Sequence, residues 1–212
     1  MTPRFAQAVD PVFLYVLSLL ERIERDESLS VTEERAKVRG YIDRAEAAVG
    51  QGQEWQLARY ALVSWIDAML YEAPWDGRDW WNDNCLEQEL YGGRNFWDGF
   101  YIKAKEASAL ARRDALEVFY ICVVLGFRGM YRDPVEAAKQ AEYHDLPPDL
   151  EAWARQAAIG IQLGQGRPRI TNASVMGEGA PPHDSQSALV SYLMVGAVLA
   201  ALNIGMVIYL LR

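Results

Sequence analysis

The sequence predicts an all-α protein, with a compact helical-bundle soluble domain of about seven or eight helices at residues 1–163 and one C-terminal transmembrane helix. Apolar residues recur at helical spacing through most of the soluble part, and no alternating apolar pattern typical of strands competes with them. Proline and N-capping residues stand at intervals that fit helix boundaries. The C-terminus, in contrast, contains a long segment without charge.

Composition disfavours several classes of function. The chain has 29 acidic against 21 basic residues, and phosphate binding needs a basic face, so a nucleic-acid binder is not expected. Cys85 and Cys122 lie far apart, while His144 and His183 stand in polar contexts without ligand spacing. The sequence therefore predicts no disulfide, no metal, no cofactor and no catalytic residues.

Capping signals and apolar spacing define the first two predicted helices. Asp10 as N-cap, with Pro11 in the first helical position, opens the first helix. Ser30 and Glu33 form a capping box for the second. The inward residues are Val12, Phe13, Val16, Leu17, Leu20 and Ile23 in the first helix, and Tyr41, Ile42, Ala45 and Val49 in the second.

The third predicted helix runs from about Trp55 to Ala73, where Pro74 stops it. Its apolar positions keep helical spacing, which indicates one face turned to the core. The residues on that face are Leu62, Trp65, Ile66, Met69 and Leu70. Later helices are predicted to start near Asn95, near Ala109, at Asp133 with Pro134, and after Pro147 and Pro148.

The segment between residues 109 and 125 is ambiguous by composition, because VFYICVVL is rich in the β-branched and aromatic residues that favour strands. Its lead-in, SALARRDALE, is typical of a helix, and no turn signal separates the two. We interpret the whole segment as one helix that is buried on all sides. Its part from Val118 to Leu125 is expected to be the most buried of the domain, and Gly126 is expected to end it in a left-handed conformation.

The stretch GFRGMYR follows this apolar segment directly. Gly126 would let the chain turn sharply, and Gly129 would remove a side chain where two backbones meet. Phe127 and Tyr131 would re-enter the apolar interior. The two arginines, of which Arg132 is the second, could bridge to acids on a neighbouring helix. The stretch is therefore either a packing corner or part of a binding site.

Residues 188–211 form 24 residues without a charge. As a helix they would extend about 36 Å against a hydrocarbon core of about 30 Å, which predicts a transmembrane tail anchor. Residues 164–187, rich in Gly, Pro, Ser and Asn, are predicted as a flexible linker. Arg167 and Arg169 precede the anchor and only Arg212 follows it, which favours a cytoplasmic soluble domain.

Small residues in this segment predict a packing face. They are Gly196, Ala197, Ala200, Ala201 and Gly205, with Asn203 as the one strongly polar side chain. Small residues at four-residue spacing let another membrane helix approach closely, so the anchor is expected to pair with itself or with another subunit. The alternative is that these residues reflect the ordinary composition of membrane helices.

Three segments share a pattern with a known family: residues 60–75 (YALVSWIDAMLYEAPW), 89–97 (ELYGGRNFW) and 116–132 (LEVFYICVVLGFRGMYR). Through them the chain resembles the DotU/TssL family, whose relatives in type IVB secretion are the IcmH proteins. The matching positions are Asp67, Pro74, Trp75, Glu89, Gly92, Gly93, Phe96, Trp97, Gly126, Phe127, Gly129, Tyr131 and Arg132. Two features depart from the pattern: only Glu89 remains of a usual His-Gly-Glu, and Ala68 stands where a second acid often follows Asp67.

The resemblance implies a non-enzymatic subunit of a bacterial type VI secretion system, anchored in the inner membrane. Its cytoplasmic domain would dock cytosolic baseplate proteins, and its anchor would lie beside the large IcmF-like, TssM-type subunit, in a homodimer or higher oligomer. Two alternatives stay open. One is a stabilising subunit of a type IVB apparatus. The other is a tail-anchored glycan hydrolase, suggested by the tryptophans and acids of PWDGRDWWNDN, which would have to line an open cleft.

Overall fold

The computed structural model of this chain describes residues 1–164. The rest of the predicted linker, and the predicted transmembrane helix with its small-residue face, lie outside the described residues. The helices are α1 (Pro3–Glu24), α2 (Val31–Val49), α3 (Gln53–Glu72), α4 (Arg78–Asp83), α5 (Leu86–Tyr91), α6 (Phe96–Ser108), α7 (Asp114–Val124), α8 (Pro134–His144) and α9 (Leu150–Gly164), with a 3₁₀ turn at Gly129–Arg132. Residues 1–164 contain no strand, so the all-α prediction is confirmed for this range, with nine α-helices instead of seven or eight. None of these helices is long and apolar enough to cross a membrane.

The central helix of the domain is α3. Thirteen of its 20 residues are buried, so it has almost no solvent face. It packs against α1, α2, α4, α5, α6 and α7, while α9 packs against α7 and α8 against the 3₁₀ turn. The inward residues predicted for α3 are fully buried, except Met69, which is half-buried.

The prediction that α7 is buried on all sides is wrong. One side of α7 contacts α3, α6 and α9, but Val124 is 65% exposed, and Tyr120 and Ile121 are only half-buried. The three neighbouring helices cover only one face of α7. The apolar residues on its other face stay at the surface, where single exposed apolar residues are common. The most buried helix is therefore α3.

The start of α7 also differs from the prediction, because a turn at 109–113 separates it from α6. An acceptor and a donor from distant parts of the chain stabilise the later start. Glu54 on α3 accepts a hydrogen bond from the backbone N–H of Ala115 (2.8 Å), and the backbone N–H of Thr2 donates one to the carboxylate of Asp114, the first residue of α7 (2.6 Å). Such long-range contacts leave no local signal in the sequence.

The first helix begins at Pro3, so the predicted start at Asp10 and Pro11 is wrong. Pro11 lies inside α1, where a proline removes one intrahelical hydrogen bond. Phe5 and Val9 continue the buried face of the helix upstream of this proline. Their burial offsets the lost hydrogen bond, because each large apolar side chain contributes about 2 kcal/mol when buried.

The predicted caps of α2 and α8 have different outcomes. Ser30 precedes α2 as predicted, but its hydroxyl lies 3.2 Å from that of Thr32 and makes no capping hydrogen bond, so the capping box does not form. Asp133 does cap α8, because its carboxylate accepts a hydrogen bond from the backbone N–H of Val135 (2.8 Å). The predicted starts near Asn95 and after Pro148 agree with α6 and α9.

The segment 78–91, for which the sequence predicted no helix, contains two helices of six residues each, α4 and α5. Both pack against α3. Trp81 and Leu86 are completely buried in these contacts. Six residues are too few for a periodic apolar signal, so neither helix could be recognised from spacing.

A buried carboxylate joins α1 to α2. Glu34 accepts hydrogen bonds from Arg22 (2.7 Å), Lys37 (2.8 Å) and the hydroxyl of Tyr15. Burial by itself would raise the pKa of Glu34, but these donors lower it from 4.5 to about 2. The carboxylate is therefore charged at neutral pH and its charge is compensated by its partners.

Acidification is expected to destabilise the domain through Glu34. Because its folded-state pKa lies below the unfolded value of 4.5, the stabilisation is complete above that value and is lost as the pH falls toward about 2. Glu34→Gln should lower the free energy of unfolding by about 2 kcal/mol at neutral pH and flatten its decline in acid. Urea denaturation at a series of pH values measures this, with exposed Glu24→Gln as the control. An equally steep decline in Glu34→Gln would assign the acid sensitivity elsewhere.

Candidate functional site

The corner after α7 is built on Gly126. This glycine has φ +109°, and its backbone N–H bonds to the carbonyl of Val123 (3.1 Å). The N–H of Phe127 bonds to the carbonyl of Cys122 (3.0 Å). This pair of bonds satisfies the last carbonyls of the helix in the arrangement expected for a glycine just past a helix end. Gly126 therefore ends α7, as predicted.

The second glycine of the corner lies against α6. Gly129 has φ +51°, and a Cβ atom there would lie 2.7 Å from the backbone oxygen of Trp97 and 2.8 Å from the ring of Phe127. Neither neighbour can move without shifting backbone or core. Gly129 thus allows the close approach of two backbones that the sequence suggested.

The two aromatics of the corner return to the core. Phe127 is completely buried and stacks on Phe100 with ring centroids 4.0 Å apart. Tyr131 packs edge-on against Tyr101 and donates a hydrogen bond from its hydroxyl to the carbonyl of Pro147 (2.6 Å). These contacts hold the corner between α6 and the segment that precedes α9.

The two arginines of the corner have different partners. Arg128 donates to the carbonyl of Val123 (3.1 Å) at the end of α7, and pairs with no acid among residues 1–164. Arg132 forms a salt bridge with Glu72 at the end of α3 (2.7 Å) and lies over the ring of Trp97, 5.9 Å from its centroid. Arg132 thus joins three elements: α3, α6 and the 3₁₀ turn.

Replacing Arg132 by alanine is expected to lower the free energy of unfolding by less than about 1 kcal/mol. The reason is exposure: the side chains of Arg132 and Glu72 are 51% and 40% exposed, so water screens the pair. Urea denaturation beside Arg25→Ala, another exposed ion-paired arginine, measures the difference. A loss of about 3 kcal/mol or more would mean that the pair behaves as a buried one.

Asp67 lies at the centre of the candidate site and is buried. Its carboxylate accepts three hydrogen bonds, from the indole N–H of Trp81 (2.9 Å) and from the backbone N–H groups of Leu86 (3.0 Å) and Glu87 (2.7 Å). Burial raises its pKa to about 6, against the lowering effect of these donors. From α3, Asp67 therefore fixes both α4 and the N-terminus of α5.

A second buried acid, Glu87, was not predicted. Its carboxylate accepts hydrogen bonds from the hydroxyl of Tyr60 (2.8 Å) and the backbone N–H of Asn95 (3.2 Å), which links α3, α5 and the start of α6. The residue stands in the polar run LEQEL, so no local feature distinguishes it from its exposed neighbours. The burial of Glu87 depends only on contacts between helices in the folded domain.

The motif residues around Gly92 position the turn between α5 and α6. Gly92 has φ +71° and ends α5, whereas Gly93 has no positive φ and open space around it. Glu89 forms salt bridges with Arg35 (2.5 Å) and Arg39 (2.6 Å) on α2. Glu89 therefore attaches α5 to α2. Phe96 is the first residue of α6.

Two of the three tryptophans in the segment PWDGRDWWNDN make structural contacts within the domain. Trp75 donates its indole N–H to the carbonyl of Leu70 (3.0 Å), and so folds back on the end of α3 that Pro74 follows. Trp81 is completely buried and bonded to Asp67. The indole N–H groups of both are therefore bonded within the domain, and these contacts give the glycan-hydrolase alternative no support.

Several motif positions converge on one exposed surface. We define the aromatic–arginine surface as Tyr71, Glu72, Arg94, Trp97 and Arg132. Tyr71, Arg94 and Trp97 line a pocket of about 200 Å³ whose floor includes Asp67. Glu72 and Arg132 adjoin it through the contact of Arg132 with Trp97. Tyr71 and Arg94 lie outside the matched positions and were not predicted.

This surface has the composition of a protein-binding site. Exposed aromatics beside arginines are enriched at the centres of protein–protein interfaces, because they bury large areas and form directional contacts. Within residues 1–164 no group of three or more His, Cys, Asp or Glu side chains is arranged to hold a metal ion. The arrangement is suited to binding a partner.

Comparisons with known proteins identify the family and the fold of this chain. The family model described as type VI secretion system protein DotU matches residues 4–212. The solved cytoplasmic domain of TssL from Acinetobacter baumannii has a similar fold, with a TM-score of 0.58 and 18% identity over 77% of this chain and 99% of that chain. No curated protein matches. Because the family match spans nearly the whole sequence, the chain belongs to the DotU family of type VI secretion system proteins.

Proposed function

We propose that this type VI secretion subunit is a membrane-anchored scaffold that docks cytosolic baseplate proteins through its aromatic–arginine surface. The observation that carries the proposal is the convergence of Trp97 and Arg132, two positions of the family pattern, with exposed Tyr71 and Arg94. The protein would act by positioning other subunits and would catalyse no reaction. Family membership supports the type VI assignment, and the type IVB alternative has no separate support.

The proposal includes the membrane. Residues 188–211 would anchor the chain in the inner membrane beside the large IcmF-like subunit, with residues 1–163 in the cytoplasm and 164–187 as a linker. Ala197, Ala201 and Gly205 would face a partner helix. Replacing these three residues by leucine should weaken association in a membrane two-hybrid assay. Unchanged association would leave the segment as a plain anchor.

The docking test compares two double variants of the full chain. Trp97→Ala with Arg94→Glu changes the aromatic–arginine surface, and Leu14→Ala with Arg25→Glu makes similar changes at exposed positions of α1. Binding to purified cytosolic baseplate proteins is measured, and circular dichroism checks that both variants fold. We expect at least tenfold weaker binding for the first variant only, because aromatic and arginine hot spots each contribute about 2 kcal/mol or more. Equal binding by both variants would reject this surface as the docking site.

A further inference from the structure

A groove opens beside the aromatic–arginine surface, between the start of α6, the 3₁₀ turn and α8. Its volume is about 510 Å³, and its lining includes Trp97 and Arg132, which also belong to the aromatic–arginine surface. We call it the α8 groove and define it by these two residues together with Asp98, Met130, Asp133, Glu136 and Gln140. The groove therefore continues the candidate docking site toward α8.

Contacts at both ends of α8 fix the position of this helix relative to α6. At the N-terminal end of α8, the 3₁₀ turn packs against both helices. At the C-terminal end, Lys105 on α6 donates hydrogen bonds to the carbonyls of His144 (3.3 Å) and Asp145 (3.0 Å). The α8 groove is therefore already formed before any partner binds.

Carboxylates outnumber cations in the α8 groove. Among the described residues that line it, the base is Arg132 and the acids are Asp98, Asp133 and Glu136. The base is paired with Glu72, and one of the acids is paired with Lys139. With both partners included, four acids and two bases leave a local charge of −2. His144, whose Nε2 lies 3.8 Å from Asp98, adds a positive charge only when it is protonated.

Apolar side chains accompany these carboxylates. Met130 and the exposed ring of Trp97 line the groove. Tyr143 follows Gln140 by three residues and Glu136 by seven, so it lies on the same side of α8. Its side chain is 83% exposed. Exposed aromatic groups beside a groove favour contact with another protein, because they bury a large area on binding.

We propose that the α8 groove receives a basic segment of the docked protein, with lysine or arginine side chains opposite its carboxylates and an apolar side chain between them. Charge complementarity selects this occupant, because the same carboxylates repel anionic lipid and nucleic acid. The inference rests on the proposed docking function for the identity of the partner. Since Trp97 and Arg132 belong to both surfaces, one partner would contact both.

The test varies the charge at one exposed position of the groove, Gln140. The full chain in phosphatidylcholine nanodiscs is titrated with a fluorescein-labelled amphipathic peptide of leucine and lysine, and empty nanodiscs give the background. We expect Gln140→Lys to bind this peptide more weakly than the unchanged chain and Gln140→Glu to bind it more tightly, by about two- to fivefold each, as for one exposed ion pair. Absence of this order, or equal binding of a peptide with glutamate in place of lysine, overturns the proposal.

A matched pair of variants controls for net charge. Gln7 is an exposed glutamine on α1, outside the groove. Gln7→Lys and Gln7→Glu change the charge of the chain by the same amounts as the variants at 140, and circular dichroism checks that all four fold. We expect both variants at position 7 to bind the lysine peptide as the unchanged chain does. The same order of affinities at both positions would assign the effect to net charge and overturn the proposal.

Binding of purified cytosolic baseplate proteins separates this proposal from the docking function. Baseplate binding that is lost in Trp97→Ala with Arg94→Glu, but is equal in both Gln140 variants, overturns the groove and keeps the docking surface. Ordered peptide binding at position 140 without any baseplate binding refutes the docking function and supports the groove's preference for basic segments. If a second copy of the chain covers the groove instead, the Gln140 variants change the mass measured by light scattering and bind no peptide, which also overturns the proposal.

Discussion

Asp67→Ala is expected to lower the free energy of unfolding by about 4 kcal/mol, the largest effect of any single substitution considered. Three buried donors, from Trp81, Leu86 and Glu87, would lose their common acceptor. Each donor left without a partner in the interior costs about 1 to 3 kcal/mol. Urea denaturation monitored by tryptophan fluorescence measures the change, because one of the donors is an indole.

Two further substitutions separate this cause from others. Asp67→Asn keeps one oxygen acceptor in nearly the same shape, and should cost about half as much as alanine. Asp83→Ala removes an exposed acid nearby and should change stability by less than about 0.5 kcal/mol. If Asp67→Ala were as mild as Asp83→Ala, water would be replacing the lost acceptor, and Asp67 could not be what positions α4 and α5.

Gly129→Ala is expected to destabilise the domain by about 3 kcal/mol. The backbone at φ +51° costs an alanine about 1 kcal/mol, and the new methyl group would overlap the carbonyl of Trp97 and the ring of Phe127. Relief of this overlap requires α6 and the corner to separate, so the salt bridge between Arg132 and Glu72 should weaken as well. Thermal unfolding followed by circular dichroism gives the measurement.

Gly93→Ala is the matched control for this substitution. No atom lies near the position where its Cβ would be, and its φ is not positive. Its stability should therefore stay within about 0.5 kcal/mol of the unchanged protein. Two glycines of the same family pattern would then differ strongly in the stability that is lost when alanine replaces them. Equal stability of both variants would show that the corner at Gly129 can relax.

Local chemistry explains which elements could be predicted from the sequence. Gly126 at the end of an apolar run, and Asp133 before Pro134, act within a few residues of their own position, so their roles could be predicted. The start of α7 could not, because its acceptor Glu54 is some 60 residues away in the chain. The false start at Pro11 has the same origin: the packing of Phe5 outweighs the local signal of a proline.

The residues of the candidate site also fall into two groups: those that the sequence indicated and those that only the fold brings there. The family pattern indicated Trp97 and Arg132 but carried no information on which residues surround them. Glu72 and Tyr71 join them only because α3 ends beside the turn between α5 and α6, which is a property of the assembled fold. Buried Glu87 is the extreme case, since its polar sequence neighbourhood predicts a surface residue.

The contact between Thr2 and Asp114 has a consequence for the order of events during synthesis. The first turn of α1 cannot complete this contact until residue 114 has left the ribosome, about ten seconds later at a typical elongation rate of about ten residues per second. The pairing of α1 with α2 through Glu34 needs only the first 37 residues. The nascent chain should therefore carry a helical hairpin with an unsecured beginning from the emergence of residue 37 until the emergence of residue 114. Protease digestion of ribosome-bound chains would detect it as cleavage near residue 5 that stops once α7 has emerged.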